Sequence, residues 1–288
     1  MLLFKTVSDL QSYLQKTTNE GKRVGFVPTM GALHKGHLSL VQESKSNCDV
    51  SVVSIFVNPT QFDDKKDLEK YPRTIGQDIE LLCSVGNDVL FLPSVEEIYP
   101  KDLDTTLQLD FGQLAEVLEG AFRPGHFDGM AQVVNRLLNI VQPDCLFMGQ
   151  KDFQQVAIVH SMLKQLKSKI DLVVCPIIRE EDGLAMSSRN RRLSPEFRQK
   201  SILLSQTLAK IKAKMTQDTP QQLRKMGLET LSEAGFKPEY FDIVDGFTLL
   251  SIDNFSETSY VVALTAAWAG EIRLIDNMII KQPTEVLA

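Results

Sequence analysis

The stretch that decides the fold joins an apolar segment, a glycine-bearing turn and an amphipathic segment. It reads Val24-Gly25-Phe26-Val27-Pro28-Thr29-Met30-Gly31-Ala32-Leu33-His34-Lys35-Gly36-His37-Leu38-Ser39-Leu40-Val41. This order predicts a buried strand, a turn and the start of a helix. Two imidazoles, His34 and His37, stand three residues apart at the junction of turn and helix, so they face the same side.

A helix start of this kind favours an anion, because its first backbone N–H groups lack partners and the helix dipole is positive there. The two glycines of the turn allow a ligand to come close to the backbone. Local physics therefore favours a site for nucleotide phosphates. A capped helix with exposed histidines and a metal site both remain open. A metal site would need further ligands, and His126 and His160 are the other histidines.

Short apolar runs alternate with helical patterns along the first part of the chain. The predicted strands are Val24–Val27, Val50–Val57, Asp88–Leu92, Asp144–Met148 and Leu172–Ile178. The predicted helices are Leu38–Asn47, Arg73–Ser84, Gly129–Val141 and Gln154–Lys167, the last with His160 at a core position. This alternation predicts an α/β fold with a mainly parallel sheet, in which ligands bind beyond the carboxyl ends of the strands.

The pattern changes after Ile178, where a charged segment runs to Arg192. It is followed by predicted helices at Pro195–Lys214 and Pro220–Ala234 and by strands at Tyr240–Val244, Ser259–Trp268 and Glu271–Leu274. We therefore predict a large first domain over residues 1–178 and a smaller α+β domain over residues 179–288.

Composition excludes several classes of protein. The 288 residues carry a net charge of −6, which argues against a broad nucleic-acid surface. No uncharged run is long enough to cross a bilayer, and no secretory signal is recognisable at the N-terminus. The cysteines are far apart, which predicts buried, reduced thiols in a cytoplasmic protein; they are Cys48, Cys83, Cys145 and Cys175.

Two polar motifs follow other predicted strands. Asn58 and Gln61 carry paired donors and acceptors suited to a small substrate with hydroxyl and carboxylate groups, although an ordinary Asn-Pro turn would look the same. In the run Gly149-Gln150-Lys151-Asp152, the glycine permits close approach, Lys151 offers a cation for phosphate and Asp152 an acceptor for ribose. Gln155, one turn on, could reach the same substrate as Gln61.

Two further segments are rich in charge or in turn residues. The run Met186-Ser187-Ser188-Arg189-Asn190-Arg191-Arg192 places hydroxyls and guanidinium groups together in an acidic protein. It suits a triphosphate, although a solvated basic turn is an equal alternative. The glycine- and proline-rich loop around Arg123 suggests a shaped segment near the site or a purely structural one.

Taken together, the motifs resemble the pantoate–β-alanine ligase family, whose members belong to the nucleotidyltransferases with a HIGH-type signature, here His34-Lys35-Gly36-His37. The resemblance covers residues 24–277. It rests on the run from Pro28 to His37, Phe56 to Phe62, Tyr71-Pro72-Arg73-Thr74, Arg123 to Phe127, Gly149 to Asp152, Asp182 to Asn190, and Arg273-Leu274-Ile275-Asp276-Asn277. All of these strings occur in order.

The resemblance implies a Rossmann-like domain that binds ATP and pantoate, a C-terminal lid domain and a homodimer. It implies a reaction in two steps. The carboxylate of (R)-pantoate attacks the α-phosphorus of ATP, giving pantoyl adenylate and pyrophosphate. The amine of β-alanine then displaces AMP to give pantothenate, a precursor of coenzyme A.

The resemblance also assigns residues. His37 is implied to be the catalytic proton donor, and His34, Lys151 and Arg189 are placed with it in the catalytic group. The positive charge of Lys151 and Arg189 would offset the repulsion between a carboxylate and a polyanion. ATP contacts fall on Met30, Gly31, Ala32, Leu33, His34, Lys35, Gly36, His37, Gly149, Gln150, Lys151, Asp152, Ile178, Met186, Ser187, Ser188 and Arg189. Gln61 and Gln155 match the glutamines that hold pantoate, and Asn58 and Arg123 match other pocket positions. Mg²⁺ is expected on the triphosphate, without a dedicated protein metal site.

Three alternatives share part of this pattern. A nucleotidyltransferase acting on a phosphate ester would need a cation in the loop at Asn58–Gln61, which has none. An aminoacyl-tRNA synthetase fits poorly with the acidic charge and the lack of a tRNA-binding extension. A nucleotide sensor without catalysis would tolerate loss of His37 or Lys151, and both residues are present.

Overall fold

The computed structural model describes residues 1–62 and 65–282, which form two compact units. The first unit comprises Met1–Phe111, Arg123–Gln150 and Gln155–Ile177. The second comprises Gly112–Phe122, Lys151–Gln154 and the chain from Ile178 onward. This differs from the predicted division after residue 178, which puts Gly112–Phe122 and Lys151–Gln154 in the first domain.

The first unit is built on a six-stranded sheet in which every pair is parallel. Its strands are β1 (Leu2–Phe4), β2 (Val24–Thr29), β3 (Val50–Ile55), β4 (Val89–Phe91), β5 (Cys145–Gly149) and β6 (Asp171–Cys175). Their order across the sheet is β1-β4-β3-β2-β5-β6. The α/β fold with a parallel sheet is confirmed.

The central strands are continuous apolar runs because both faces of the sheet are covered. Every residue of β3 is buried, and Phe26, Val27 and Phe147 have no exposed surface. The chain winds outward from β2 to β3 on one side and continues through β5 on the other. The reversal of strand order between β2 and β5 creates the crevice where open α/β sheets bind ligands.

Helices cover the sheet and build much of the second unit. They are α1 (Val7–Asn19), α2 (Lys35–Asn47), α3 (Lys65–Lys70), α4 (Ile75–Ser84), α5 (Val95–Ile98), α6 (Glu119–Phe122), α7 (His126–Val141), α8 (Phe153–Gln165), α9 (Pro195–Lys200), α10 (Ile202–Lys214) and α11 (Pro220–Glu233). The predicted single helix Pro195–Lys214 is two helices. The first ends where the Ser201 hydroxyl donates to the carbonyl of Phe197 over 2.6 Å.

The second unit contains an antiparallel sheet in the order β7-β8-β9, formed by β7 (Lys237–Asp245), β8 (Val261–Ala269) and β9 (Ile272–Lys281). Leu204, Leu208 and Ile211 of α10 belong to the apolar core of this unit. Gly227 of α11 packs on Phe241, since a Cβ there would lie 2.6 Å from the ring. The predicted α+β character of this part of the chain is confirmed.

Some sequence expectations were wrong in detail. His160 of α8 is exposed, so it is not a core residue. Cys83 is also exposed and Cys48 half-buried, whereas Cys145 and Cys175 are buried as predicted. Burial raises the pKa of the Cys175 thiol to about 11, which keeps it protonated and a poor nucleophile at neutral pH. Among the described helices, none has the length and apolar character needed to span a membrane.

Candidate active site

The turn after β2 is fixed by a buried carboxylate. Asp78 of α4 accepts hydrogen bonds from the backbone N–H groups of Ala32 at 3.0 Å and Leu33 at 2.8 Å. It is 1% exposed, and the Thr74 hydroxyl donates to the same carboxylate over 3.2 Å. Gly31 has a φ of 81°, and a Cβ there would lie 3.1 Å from Asp78. The turn predicted to contact ATP is therefore held from within the protein.

Sequence reasoning missed Asp78, because an aspartate on an amphipathic helix is usually solvated. Its partners lie about 45 residues earlier in the chain. The only local signal was its position four residues after Thr74, which ends the family motif Tyr71-Pro72-Arg73-Thr74.

Replacing Asp78 with asparagine should loosen this turn. The amide offers one acceptor oxygen where the carboxylate offers two, so one buried N–H would face another donor. We expect a loss of about 1–3 kcal/mol of unfolding free energy and a weaker apparent affinity for ATP. Chemical denaturation and steady-state kinetics measure the two effects. The matched control is Glu80→Gln, which also removes one negative charge from α4 but at an exposed position. Unchanged stability and ATP dependence in Asp78→Asn would contradict this role.

The two histidines lie together at the start of α2. His34 is the N-cap residue, and its Nδ1 accepts from the backbone N–H of Gly36 at 3.2 Å. The Nδ1 of His37 accepts in turn from the backbone N–H of His34 at 3.3 Å. The ring centroids are 4.0 Å apart. Both bonds require a lone pair on Nδ1, so each neutral ring carries its proton on Nε2, the nitrogen that can donate to a ligand.

Asn58 and Gln61, after β3, form one buried network. The Asn58 amide N–H₂ donates to Gln61 Oε1 at 3.1 Å and to the Gly129 carbonyl at 3.3 Å. Its oxygen accepts from the hydroxyls of Tyr99 at 2.9 Å and Thr60 at 3.1 Å. Burial raises the pKa of the Tyr99 hydroxyl, which stays protonated and able to donate. Sequence reasoning missed Tyr99, which lies outside the motifs.

Because Asn58 donates to Gln61 Oε1, the orientation of the Gln61 amide is set. Its Nε2 lies 3.4 Å from the sulfur of Met30, in the turn after β2. The ring of His126 is 2.9 Å from the Gln61 carbonyl oxygen and so fixes the backbone there. The structure therefore brings three predicted site residues together, Met30, Asn58 and Gln61. Arg123 precedes this group in the turn before α7, where its carbonyl accepts from the N–H of His126.

The end of β5 carries the next predicted residues of the first unit. Gly149 is its last residue, and a Cβ there would meet nothing within 4 Å, so packing does not require the glycine. The neighbouring strand β2 ends in the turn that carries His34 and His37. Gln150 follows Gly149, and Gln155 lies half-buried in the first turn of α8.

The remaining predicted residues belong to the second unit. The main-chain N–H of Met186 donates to the carbonyl of Ile178 at 3.0 Å, which makes these two residues neighbours. Ser187 caps the short helix Ser188–Arg192, and its hydroxyl accepts from the N–H of Arg189 at 3.3 Å. The Lys151 ammonium lies 3.8 Å from Asp152.

A buried amide supports the Met186–Arg189 segment. Asn190 is 8% exposed, and its N–H₂ donates to Glu180 Oε1 and to the Ala185 carbonyl, each at 3.0 Å. Arg198 pairs with both Glu180 and Asp182. Its hydrogen bond to Asp182 lowers the pKa of that carboxyl, which favours the charged form. The segment that carries Arg189 is therefore held by hydrogen bonds of the neighbouring Asn190.

Comparisons with known proteins give a consistent result. The sequence model of the Pantoate-beta-alanine ligase family matches residues 2–279. The pantothenate synthetase of Bacteroides thetaiotaomicron is 49% identical over 98% of this chain and 100% of its own length. That of Porphyromonas gingivalis is 46% identical over 96% of this chain and 99% of its own length.

Solved structures agree with the sequence relatives. Pantothenate synthetase from Thermus thermophilus has a TM-score of 0.91 at 40% identity, covering 98% of this chain and 100% of that one. Pantoate-beta-alanine ligase from Francisella tularensis, complexed with "Beta-gamma ATP and Beta-alanine", has a TM-score of 0.75 at 35% identity, covering 97% and 98%. The chain therefore belongs to the pantoate–β-alanine ligase family.

Proposed function

We propose that the chain condenses pantoate with β-alanine in two ATP-dependent steps. A carboxylate oxygen of pantoate attacks the α-phosphorus, a P–O bond forms, and pyrophosphate leaves. The amine of β-alanine then attacks the acyl carbon of the adenylate, the amide forms, and AMP leaves with the electron pair of the broken C–O bond. The observation that carries this proposal is family membership over nearly the whole chain. The sequence alternatives, a phosphate-ester nucleotidyltransferase, a tRNA synthetase and a sensor, lack that support.

The segment Met30–His37 is proposed to bind the phosphates of ATP. Support comes from its place at the carboxyl end of β2, beside the reversal of strand order, and from the helix start at Lys35. His37 is proposed to donate from Nε2 to an oxygen on which charge develops when the α-phosphorus is attacked. His34 assists by holding the helix start through its cap.

Gln61 and Gln155 are proposed to hold pantoate. The support for Gln61 is its fixed amide, which Asn58 turns so that Nε2 is the group available as a donor. Asn58 then acts on the substrate through Gln61, since its own donors are engaged. Alignment of the pantoate carboxylate with the α-phosphorus raises the effective concentration of the nucleophile. Arg123 is proposed to add positive charge to the pocket.

Further ATP contacts are proposed for Lys151, Asp152, Ile178 and Met186–Arg189. Lys151 and Arg189 supply positive charge that offsets the repulsion between a carboxylate and a triphosphate. No group of three or more metal-ligating residues occurs in residues 1–62 and 65–282. Mg²⁺ is proposed to arrive as part of the substrate Mg-ATP, held chiefly by the triphosphate. Homodimer formation and a cytoplasmic location stay predictions, of which light scattering tests the first.

The test follows both half-reactions. With Mg-ATP and pantoate alone we expect a burst of pyrophosphate about equal to the enzyme, with continuous turnover only after β-alanine is added, when AMP and pantothenate appear together. Pyrophosphate release without pantoate, or transfer of AMP to a phosphate ester instead, would overturn the proposal. A nucleotide sensor would bind ATP and release neither product.

A further inference from the structure

Strand β9 holds two segments of the second unit that the proposed function assigns to ATP. The side chain of Asn277 donates to the carbonyl oxygen of Lys151 at 2.9 Å. Asp276, one residue earlier, accepts from both terminal nitrogens of Arg179, at 2.7 and 3.0 Å. Neither residue received a role from the sequence, although both belong to the string Arg273-Leu274-Ile275-Asp276-Asn277.

The two side chains can serve different segments because neighbouring residues of a strand point to opposite faces of the sheet. The pairing of β9 with β8 is regular from Ile272 to Ile279, so this alternation holds at Asp276 and Asn277. Both residues are buried, at 3% and 2% exposure. Buried polar groups of this kind are costly unless they are satisfied, so these contacts fix the geometry of their partners.

On one face, the fixed partner is the turn that carries Lys151 and Asp152. Besides the Asn277 bond, this turn is held at its other end by Gln154, which is 2% exposed. The Gln154 amide donates to the carbonyls of Leu114 at 2.7 Å and Val117 at 2.8 Å, and accepts from the N–H of Glu119 at 2.9 Å. The backbone from Lys151 to Gln154 is therefore anchored at both ends.

On the other face, the fixed partner is the hairpin that leads to Met186–Arg189. Arg179 pairs with Ala185 in an isolated bridge, and its guanidinium also donates to the Gly183 carbonyl at 3.1 Å. The Asp276 side chain is 1% exposed, and that of Arg179 is 25% exposed. A bidentate pair with a buried carboxylate sets the direction of the guanidinium plane and with it the hairpin.

We propose that Asp276 and Asn277 are positioning residues for ATP, through which β9 sets the Lys151 turn and the Met186–Arg189 segment in a fixed relation to each other. This inference rests on the proposed function, since it assumes that both segments bind the nucleotide. In this proposal neither residue touches substrate, and each acts through its partner, Lys151 or Arg179. Their effect is on ATP use and not on the reactivity of the pantoate carboxylate or the β-alanine amine.

The test uses Asn277→Asp, which keeps the shape of the side chain but removes the N–H₂ donor to Lys151, and Asp276→Asn, which removes the charge that pairs with Arg179. For each variant we expect the KM for ATP to rise about 10-fold, the effect of one well-placed hydrogen bond. The KM for β-alanine should stay within about 2-fold of the unmodified enzyme, because that amine enters after ATP has reacted. Calorimetric binding of Mg-ATP should weaken by the same factor.

The matched control is Asp242→Asn. Asp242 of β7 pairs with Arg224 at 3.1 Å, with side chains 21% and 18% exposed, in the same unit but outside these two segments. It should lower stability without changing the KM for ATP. If Asn277→Asp does not fold, Asn277→Ala replaces it. Equal ATP dependence in folded variants and unmodified enzyme would overturn the inference. Absence of pantoate-dependent pyrophosphate release in the unmodified enzyme would instead overturn the proposed function.

Discussion

Replacing His37 with alanine is expected to slow pantoate-dependent pyrophosphate release by about 10²–10³-fold, the usual effect of removing one preorganised donor from an active site. In the structure the Nδ1 of His37 is occupied by the backbone N–H of His34, so the imidazole presents its Nε2 proton. In the proposed reaction, that proton stabilises charge on a phosphate oxygen. Rapid-quench measurement of the first half-reaction isolates this step from amide formation.

A second variant separates this role from the hydrogen bond that the His37 side chain accepts from the backbone of His34. His37→Asn places an amide oxygen where Nδ1 stands and can keep the hydrogen bond to His34, but has no group at the Nε2 position. It should be about as slow as His37→Ala while retaining more stability. His160→Ala, an exposed change on α8, is the control and should behave like the unmodified enzyme. Near-normal pyrophosphate release in His37→Asn would show that the main role of His37 is its hydrogen bond to the backbone of His34.

The parallel sheet could be predicted because its strands are buried on both faces and therefore read as unbroken apolar runs. The expected runs around Val24, Val50, Asp88, Asp144 and Leu172 all contain strands. The N-terminal strand β1 escaped prediction because it has only three residues and lies at the edge of the sheet, half-exposed. An apolar run of three residues is too short for its length or for alternation to identify a strand.

Polar residues limited prediction in the second unit. The last strand was expected to end at Leu274, yet β9 continues to Lys281. Asp276 and Asn277 disfavour strands and are common in turns, so the sequence suggests a break there. The strand continues because Arg179 and the Lys151 carbonyl, both distant in the chain, satisfy these side chains. Such partners leave no trace in a local pattern.

Only part of the candidate site could be predicted from the sequence. Residues that a ligand would touch could be proposed from their chemistry and from their place after a strand. Residues that hold them were missed, since Asp78 and Tyr99 have ordinary surroundings in the sequence. Their importance comes from contacts made across the fold, to the turn at Ala32 and to Asn58. Resemblance to a family identifies the first kind of residue more readily than the second.

Replacing Lys151 with alanine is expected to slow adenylate formation by about 10²–10³-fold, because a cation that we propose to offset phosphate charge is removed. The side chain is 21% exposed and lies 3.8 Å from Asp152, so its charge is only partly screened by solvent. Lys151→Arg keeps the charge but replaces a compact ammonium with a planar fork, and should recover part of the loss. Single-turnover pyrophosphate release measures each variant, with the exposed Lys210→Ala as control.

The Lys151→Ala substitution tests the role of the side-chain charge with little expected change in the backbone conformation. The turn is held through the main-chain carbonyl of Lys151, which accepts from Asn277, and through the side chain of Gln154. Alanine leaves both contacts in place. The affinity of Lys151→Ala for Mg-ATP should therefore fall less steeply with added salt than that of the unmodified enzyme, since one charged contact is gone. Normal adenylate formation, or an unchanged salt dependence, would mean that Lys151 does not act on the phosphates. The charge that opposes carboxylate–triphosphate repulsion would then have to come from Arg189 and the metal of Mg-ATP.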